Sequence, residues 1–267
     1  MEQIKSLAQL SPMITAQWKK GVLTNAAFSA QVYEKEIEAG TLYAEELPGA
    51  LLLLRQREGF GRLNFYLQPG GDLTGWKPEQ TTVLEVPFRE KDMALRESGV
   101  LWDKLGFKLQ FSRLRLVFSE KTVPLTEEGS FFIRPAGERD LPHIEALMLS
   151  AYDPRTACLP TKDELCCDLK EGNLVVAESA EHRVVAFSRM LKNRRNAEWR
   201  HLVVAPECRG QNIAQRLFAY YVGVNEIEQV RVWVAEKNAA ALRLYDKLGF
   251  TPDGWTSTVW IYDKERI

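Results

Sequence analysis

At 267 residues, with 45% apolar and 27% charged side chains, the chain has room for one large globular domain or two of ordinary size. A formal charge of −1, with no interleaved aromatic–basic patch, argues against nucleic acid or an anionic membrane as a partner. The longest apolar run, Ala50–Leu54, is too short to cross a bilayer, and Met1–Lys5 lacks the start of a secretory signal. A cytoplasmic location with reduced thiols is therefore expected.

In the first half, Leu63–Leu67 and Val83–Phe88 read as strands. Between them, Gln68–Pro78 carries three glycines and two prolines and leaves no room for a three-turn helix. A helical stretch, Arg89–Leu105, runs into Leu105-Gly106-Phe107. Val123–Ser130 has linker character, which predicts domains at 1–125 and 126–267. Beyond it the pattern predicts a strand at 131–134, helices near 138–150 and 161–170, and strands near 173–178, 183–191 and 196–204. A helix near 210–226, a strand at 229–234, a helix at 238–248 and a final pair of strands complete the chain. Lys192-Asn193-Arg194-Arg195 reads as a solvated hairpin tip. Alternating strands and helices predict an α/β fold, a mixed central sheet with helices on both faces.

Trp102-Asp103-Lys104-Leu105-Gly106-Phe107 matches Tyr245-Asp246-Lys247-Leu248-Gly249-Phe250 at all but the first position, and each follows a strand and a helix. This predicts two tandem copies of one unit. The first looks stripped of chemistry: Leu95 stands where Asn238 does, and Trp102 where Tyr245 does. Cys158, Cys166, Cys167 and Cys208 follow no metal-ligand spacing, so no metal is expected.

The most informative stretch is Arg209-Gly210-Gln211-Asn212-Ile213-Ala214. It follows the apolar run His201–Ala205 and opens a helix with Ile213, Leu217, Phe218 and Tyr221 on one face. A strand feeding a helix N-terminus presents unpaired N–H groups at the positive end of the dipole, which suits a phosphate. Val230–Val234 then gives another strand, Asn238 can cap the next helix, and Gly249 can end it. This order, from Phe131 to about Tyr262, resembles the GCN5-related N-acetyltransferase (GNAT) family. Phe131–Ala136 and Asp140-Leu141 are similar to that family's opening strand and helix. The family places Gly fourth and Gly or Ala sixth in the loop; here these are Asn212 and Ala214. Asn tolerates left-handed backbone better than other non-Gly residues, so the loop can keep its shape.

The resemblance implies transfer of an acetyl group from acetyl-CoA to a primary amine, on a small molecule or peptide, by direct attack in a ternary complex. It implies that Arg209, Gly210, Gln211, Asn212, Ile213 and Ala214 hold the pyrophosphate. Leu202, Val203 and Val204 would pair with pantetheine, one backbone N–H facing the thioester oxygen, and Asn238 would bond the cofactor as well as cap its helix. Tyr245 matches the general-acid position and Glu198 the base. His201 lies on the same strand, and alternation sets it on the face opposite Glu198 unless a bulge intervenes. A non-catalytic acyl-CoA-binding or regulatory module is the second reading.

Overall fold

The computed structural model describes residues 1–26, 30–119 and 130–266, so all of the expected linker Val123–Ser130 except Ser130 lies outside the described residues. In chain order the elements are β1 (Glu2–Gln3), α1 (Leu7–Gln17), β2 (Leu23–Thr24), α2 (Ala30–Glu38), β3 (Leu42–Leu47), β4 (Ala50–Arg57), β5 (Phe60–Leu67), β6 (Thr82–Arg89), α3 (Met93–Glu97), α4 (Gly99–Lys104) and β7 (Lys108–Phe118). There follow β8 (Phe132–Pro135), α5 (Leu141–Ala151), α6 (Pro154–Ala157), α7 (Lys162–Lys170), β9 (Leu174–Glu178), β10 (Val184–Asn193), β11 (Asn196–Val204), α8 (Ile213–Asn225), β12 (Gln229–Ala235), α9 (Ala239–Lys247) and β13 (Thr251–Tyr262). The chain divides into two compact units, Met1–Arg113 with Gly254–Ile267, and Leu114–Asp253.

In the first unit the strand order is β1-β3-β4-β5-β6-β13. β3, β4 and β5 form an antiparallel meander, and β6 joins β5 in parallel. Trp255–Tyr262 lie antiparallel along Thr82–Arg89, which is why Gly254–Ile267 group here and not with 126–253 as the sequence division has it. β13 is one long strand where a final pair of strands was expected. The turn-like Pro252-Asp253-Gly254 does not end the strand, and Gly254 takes a φ of +81° within it. As the Gly/Pro content predicts, no helix forms between β5 and β6.

In the second unit β12, β11, β10, β9 and β8 follow one another, and Leu114–Phe118 of β7 lie beyond β12. β8 to β11 are antiparallel, whereas β12 joins β11 in parallel. Ile144 and Met148 of α5 and Leu165 of α7 pack on one side of the sheet with Val176, Phe187 and Val203. On the other side Ile213, Leu217, Phe218 and Tyr221 of α8 and Tyr245 of α9 pack with Met190, Trp199 and Val232. Those four α8 residues are the face predicted from spacing; each is buried and stabilises the unit by roughly 1.5–3 kcal/mol.

The tandem repeat has the same physical form twice. Each unit has a three-stranded meander, a parallel fourth strand, and a helix closed by Leu-Gly-Phe. In one, Phe107 N–H donates to Trp102 C=O at 3.0 Å and Gly106 has φ +91°. In the other, Phe250 N–H donates to Tyr245 C=O at 2.9 Å and Gly249 has φ +83°. Both are left-handed helix ends that bury the following Phe.

Candidate functional site

β11 and β12 pair only from Asn196↔Gln229 to Trp199↔Val232, although β11 runs on to Val204 and β12 to Ala235. Past Trp199 the strands part, and backbone groups that a parallel sheet would consume face a slot. A bulge sits at its entrance: Met190 opposes Trp199 while Arg189 opposes His201, leaving Arg200 as the extra residue. The bulge does intervene in the alternation, so Glu198, opposite Leu191, shares a sheet face with His201. Trp199 points the other way, into an aromatic cluster where its ring stacks on Phe218 at 5.0 Å and meets Tyr245 edge-on at 5.5 Å.

Register also decides which backbone groups the slot receives. Ala205 N–H donates to Val185 C=O, so the backbone polar groups of Ala205 and Val203 face β10, and those of Val204 and Leu202 face the slot. Leu202 confirms this through Tyr152, which lies immediately after α5. The Leu202 N–H donates to the Tyr152 hydroxyl at 3.1 Å, and that hydroxyl donates to the Leu202 carbonyl at 2.9 Å. Tyr152 went unnoticed in sequence, since no local pattern marks a side chain that reaches fifty residues along the chain. Burial raises its phenol above the usual range. Tyr245 is likewise raised, by burial first and then by the neighbouring Tyr152. Two phenols kept protonated by burial thus lie near each other, one bonded to the Leu202 backbone and one on α9.

The two candidate bases differ sharply. His201 is 2% exposed; its Nε2 lies 3.1 Å from the Ala157 carbonyl and its Nδ1 is buried without a partner. Burial pushes its pKa down to about 4, with Arg189 and Arg200 adding to the effect against the Ala157 contact. It is neutral at physiological pH and a weak base. Glu198 is half-buried and pairs with Arg200 at 3.1 Å.

Beyond β11, Pro206–Cys208 make a short 3₁₀ turn and Arg209 is extended. Gly210 takes φ +81°, and Asn212 takes φ +55° directly before α8. Asn212 therefore adopts the left-handed conformation expected of it. Its side chain does not cap the helix, which leaves first-turn N–H groups of α8 available to an anion. Arg209, Gly210, Gln211 and Asn212 are exposed, whereas the Ile213 side chain is buried in the core and Ala214 is half-buried, so these two offer backbone. The Arg209 Nε donates to the Val204 carbonyl at 3.2 Å, tying the loop to the end of the strand. Leu202 and Val204 are half-buried, and the Val203 side chain is fully in the core. Asn238 caps α9, its Oδ1 accepting from Ala241 N–H at 3.1 Å.

Open strand edges joined to an uncapped helix start fit a ligand that is amide-like along its length and anionic at one end. Among the described residues, no group of three or more His, Cys, Asp or Glu could hold a metal ion. No helix among them is long and apolar enough to cross a membrane.

Residues 170–252 match the family model for the acetyltransferase (GNAT) domain. No curated protein matches the chain in sequence. In fold, the chain is similar to a GCN5-related N-acetyltransferase from Sphaerobacter thermophilus, at 15% identity and TM-score 0.58, over 80% of this chain and 76% of that one. It is also similar to a GNAT-family acetyltransferase from Colwellia psychrerythraea, at 14% identity and TM-score 0.56, over 98% and 99%. A tandem GNAT protein from the clavulanic acid biosynthesis pathway aligns at 13% identity and TM-score 0.51, over 79% and 78%. Residues 170–252 thus match a GNAT domain model, and the chain has the fold of the GNAT acyl-CoA N-acyltransferases.

Proposed function

We propose that this GNAT-domain chain transfers an acetyl group from acetyl-CoA to a primary amine, by direct attack in a ternary complex at the slot of the second unit. The observation that carries this reading is the parting of β11 and β12 beyond Trp199 and Val232, with Leu202 facing the gap and an uncapped helix start following the strand.

In this reading the α8 N-terminus and the 209–214 loop hold the pyrophosphate, chiefly through backbone N–H groups. Leu202 and Val204 pair with the pantetheine amides as one more strand would, and a slot-facing N–H stabilises the oxyanion as the thioester carbonyl is attacked. The thioester supplies the activated acyl group. Glu198 accepts the proton that the ammonium must lose, and it must loosen its pairing with Arg200 to do so. Tyr245, whose phenol burial keeps protonated, gives a proton to the departing thiolate. His201 has no part in proton transfer. The first unit carries out no transfer itself.

The pairing of Glu198 with Arg200 favours one alternative, a module that binds acyl-CoA without turning it over. Tyr245→Phe separates the two. In the enzyme it lowers kcat by about 100-fold or more with acetyl-CoA affinity nearly unchanged. In a binding module there is no turnover for the substitution to lower.

A further inference from the structure

Both units contain a gap between parallel strands, and in both the chain itself reaches into it. In the first unit β5 and β6 pair from Gly61↔Thr82 to Leu63↔Leu84 and then separate. The Asn25 side chain bridges the two strands there: its Nδ2 donates to the Leu63 carbonyl at 3.1 Å and to the Glu85 carbonyl at 2.8 Å, and its Oδ1 accepts from Phe65 N–H at 2.9 Å. Just before it, β2 pairs antiparallel with the end of β5, and Thr24 Oγ1 donates to the Phe65 carbonyl at 2.6 Å. An amide held at three points and backed by a strand is a permanent filling, with donor and acceptor placed as a strand-like ligand would place them.

The second unit has a lighter version. The Tyr152 hydroxyl accepts from Leu202 N–H and donates to Leu202 C=O, and it engages β11 alone. One hydroxyl supplies the donor and acceptor pair that an amide of pantetheine would supply. Tyr152 stands at the end of α5, followed by Asp153-Pro154, and its ring lies against His201 at 5.4 Å.

We propose that Tyr152 is a displaceable occupant of the acyl slot, whose hydroxyl must release the Leu202 backbone before acyl-CoA can pair with it. This rests on the reading of the second unit as the acyl-CoA site. It makes Tyr152 a residue that sets cofactor affinity. It also explains why one unit of the tandem can accept a ligand while the other, stapled by Asn25, cannot.

The test is Tyr152→Phe, which removes the hydroxyl and keeps the ring, in the full-length chain. Calorimetric titration with acetyl-CoA is expected to give a Kd lower than wild type by about three- to tenfold, the range for one competing hydrogen bond. Structural damage would move affinity the other way. Amide hydrogen exchange without ligand adds a second readout: the Leu202 N–H exchanges faster in the variant, and acetyl-CoA protects it in both proteins. A wild type that binds acetyl-CoA beside a variant with equal or weaker affinity, or equal Leu202 exchange in the two free proteins, overturns the proposal while leaving the acyl-CoA site standing. If neither protein binds acetyl-CoA, the acyl-CoA reading fails and takes this proposal with it.

Discussion

Lowering the pH should charge His201 where the fold has no place for a charge. The imidazole pKa is pushed from 6.5 down to about 4, first by burial and then by the charges of Arg189 and Arg200. Because the folded pKa lies below the unfolded one, the unfolded chain binds more protons between these two values. His201 therefore contributes no penalty above pH 6.5, and stability is lost as pH falls from there toward 4. A depression of this size corresponds to about 3 kcal/mol at the low end of the window. The assay is equilibrium urea unfolding from pH 7.5 to 4.5 for wild type and His201→Gln. Glutamine keeps an N–H donor for the Ala157 carbonyl and does not titrate. The variant is expected to be less stable than wild type at pH 7.5 and to lose less as pH falls, so the two curves converge. Parallel curves, or an NMR titration placing the His201 midpoint near 6.5, would refute the reasoning.

Two further outcomes follow from the slots and the loop. Asn25→Ala leaves Phe65 N–H and the Leu63 and Glu85 carbonyls without their partner in a buried gap, and should cost about 3 kcal/mol in urea unfolding; a loss under about 1 kcal/mol would mean water replaces the amide freely. Gly210→Ala meets no atom within 4 Å of the added Cβ, so its cost is backbone strain alone at φ +81°. It should weaken acetyl-CoA binding several-fold while changing unfolding free energy by only about 1 kcal/mol, and unchanged affinity would argue that this loop does not hold the ligand.

The parts of the fold legible in sequence were those set by local chemistry. Leu-Gly-Phe ends two helices because only Gly takes the left-handed position cheaply and the following Phe is pulled into each core, so the motif announced the repeat. The apolar spacing of Ile213, Leu217, Phe218 and Tyr221 announced the buried face of α8, and the tolerance of Asn for positive φ announced the conformation of Asn212. What escaped was set by partners distant in the chain. Tyr152 acquires its place from a bond to Leu202, and Asn25 from bonds to Leu63, Phe65 and Glu85. Residues 255–262 acquire theirs from Thr82–Arg89, and no spacing near the chain end encodes that pairing. The bulge at Arg200 is equally silent, yet it decides that Glu198 and His201 share a face, Glu198 half-buried and His201 buried.

The account stands or falls on where acyl-CoA binds. Calorimetric titration of acetyl-CoA into the wild-type chain, beside Arg209→Ala, measures this most directly. One site per chain, weakened in the variant, is the predicted result: the second-unit slot takes the ligand and the slot filled by Asn25 does not. Two sites, or an affinity indifferent to Arg209, would contradict it.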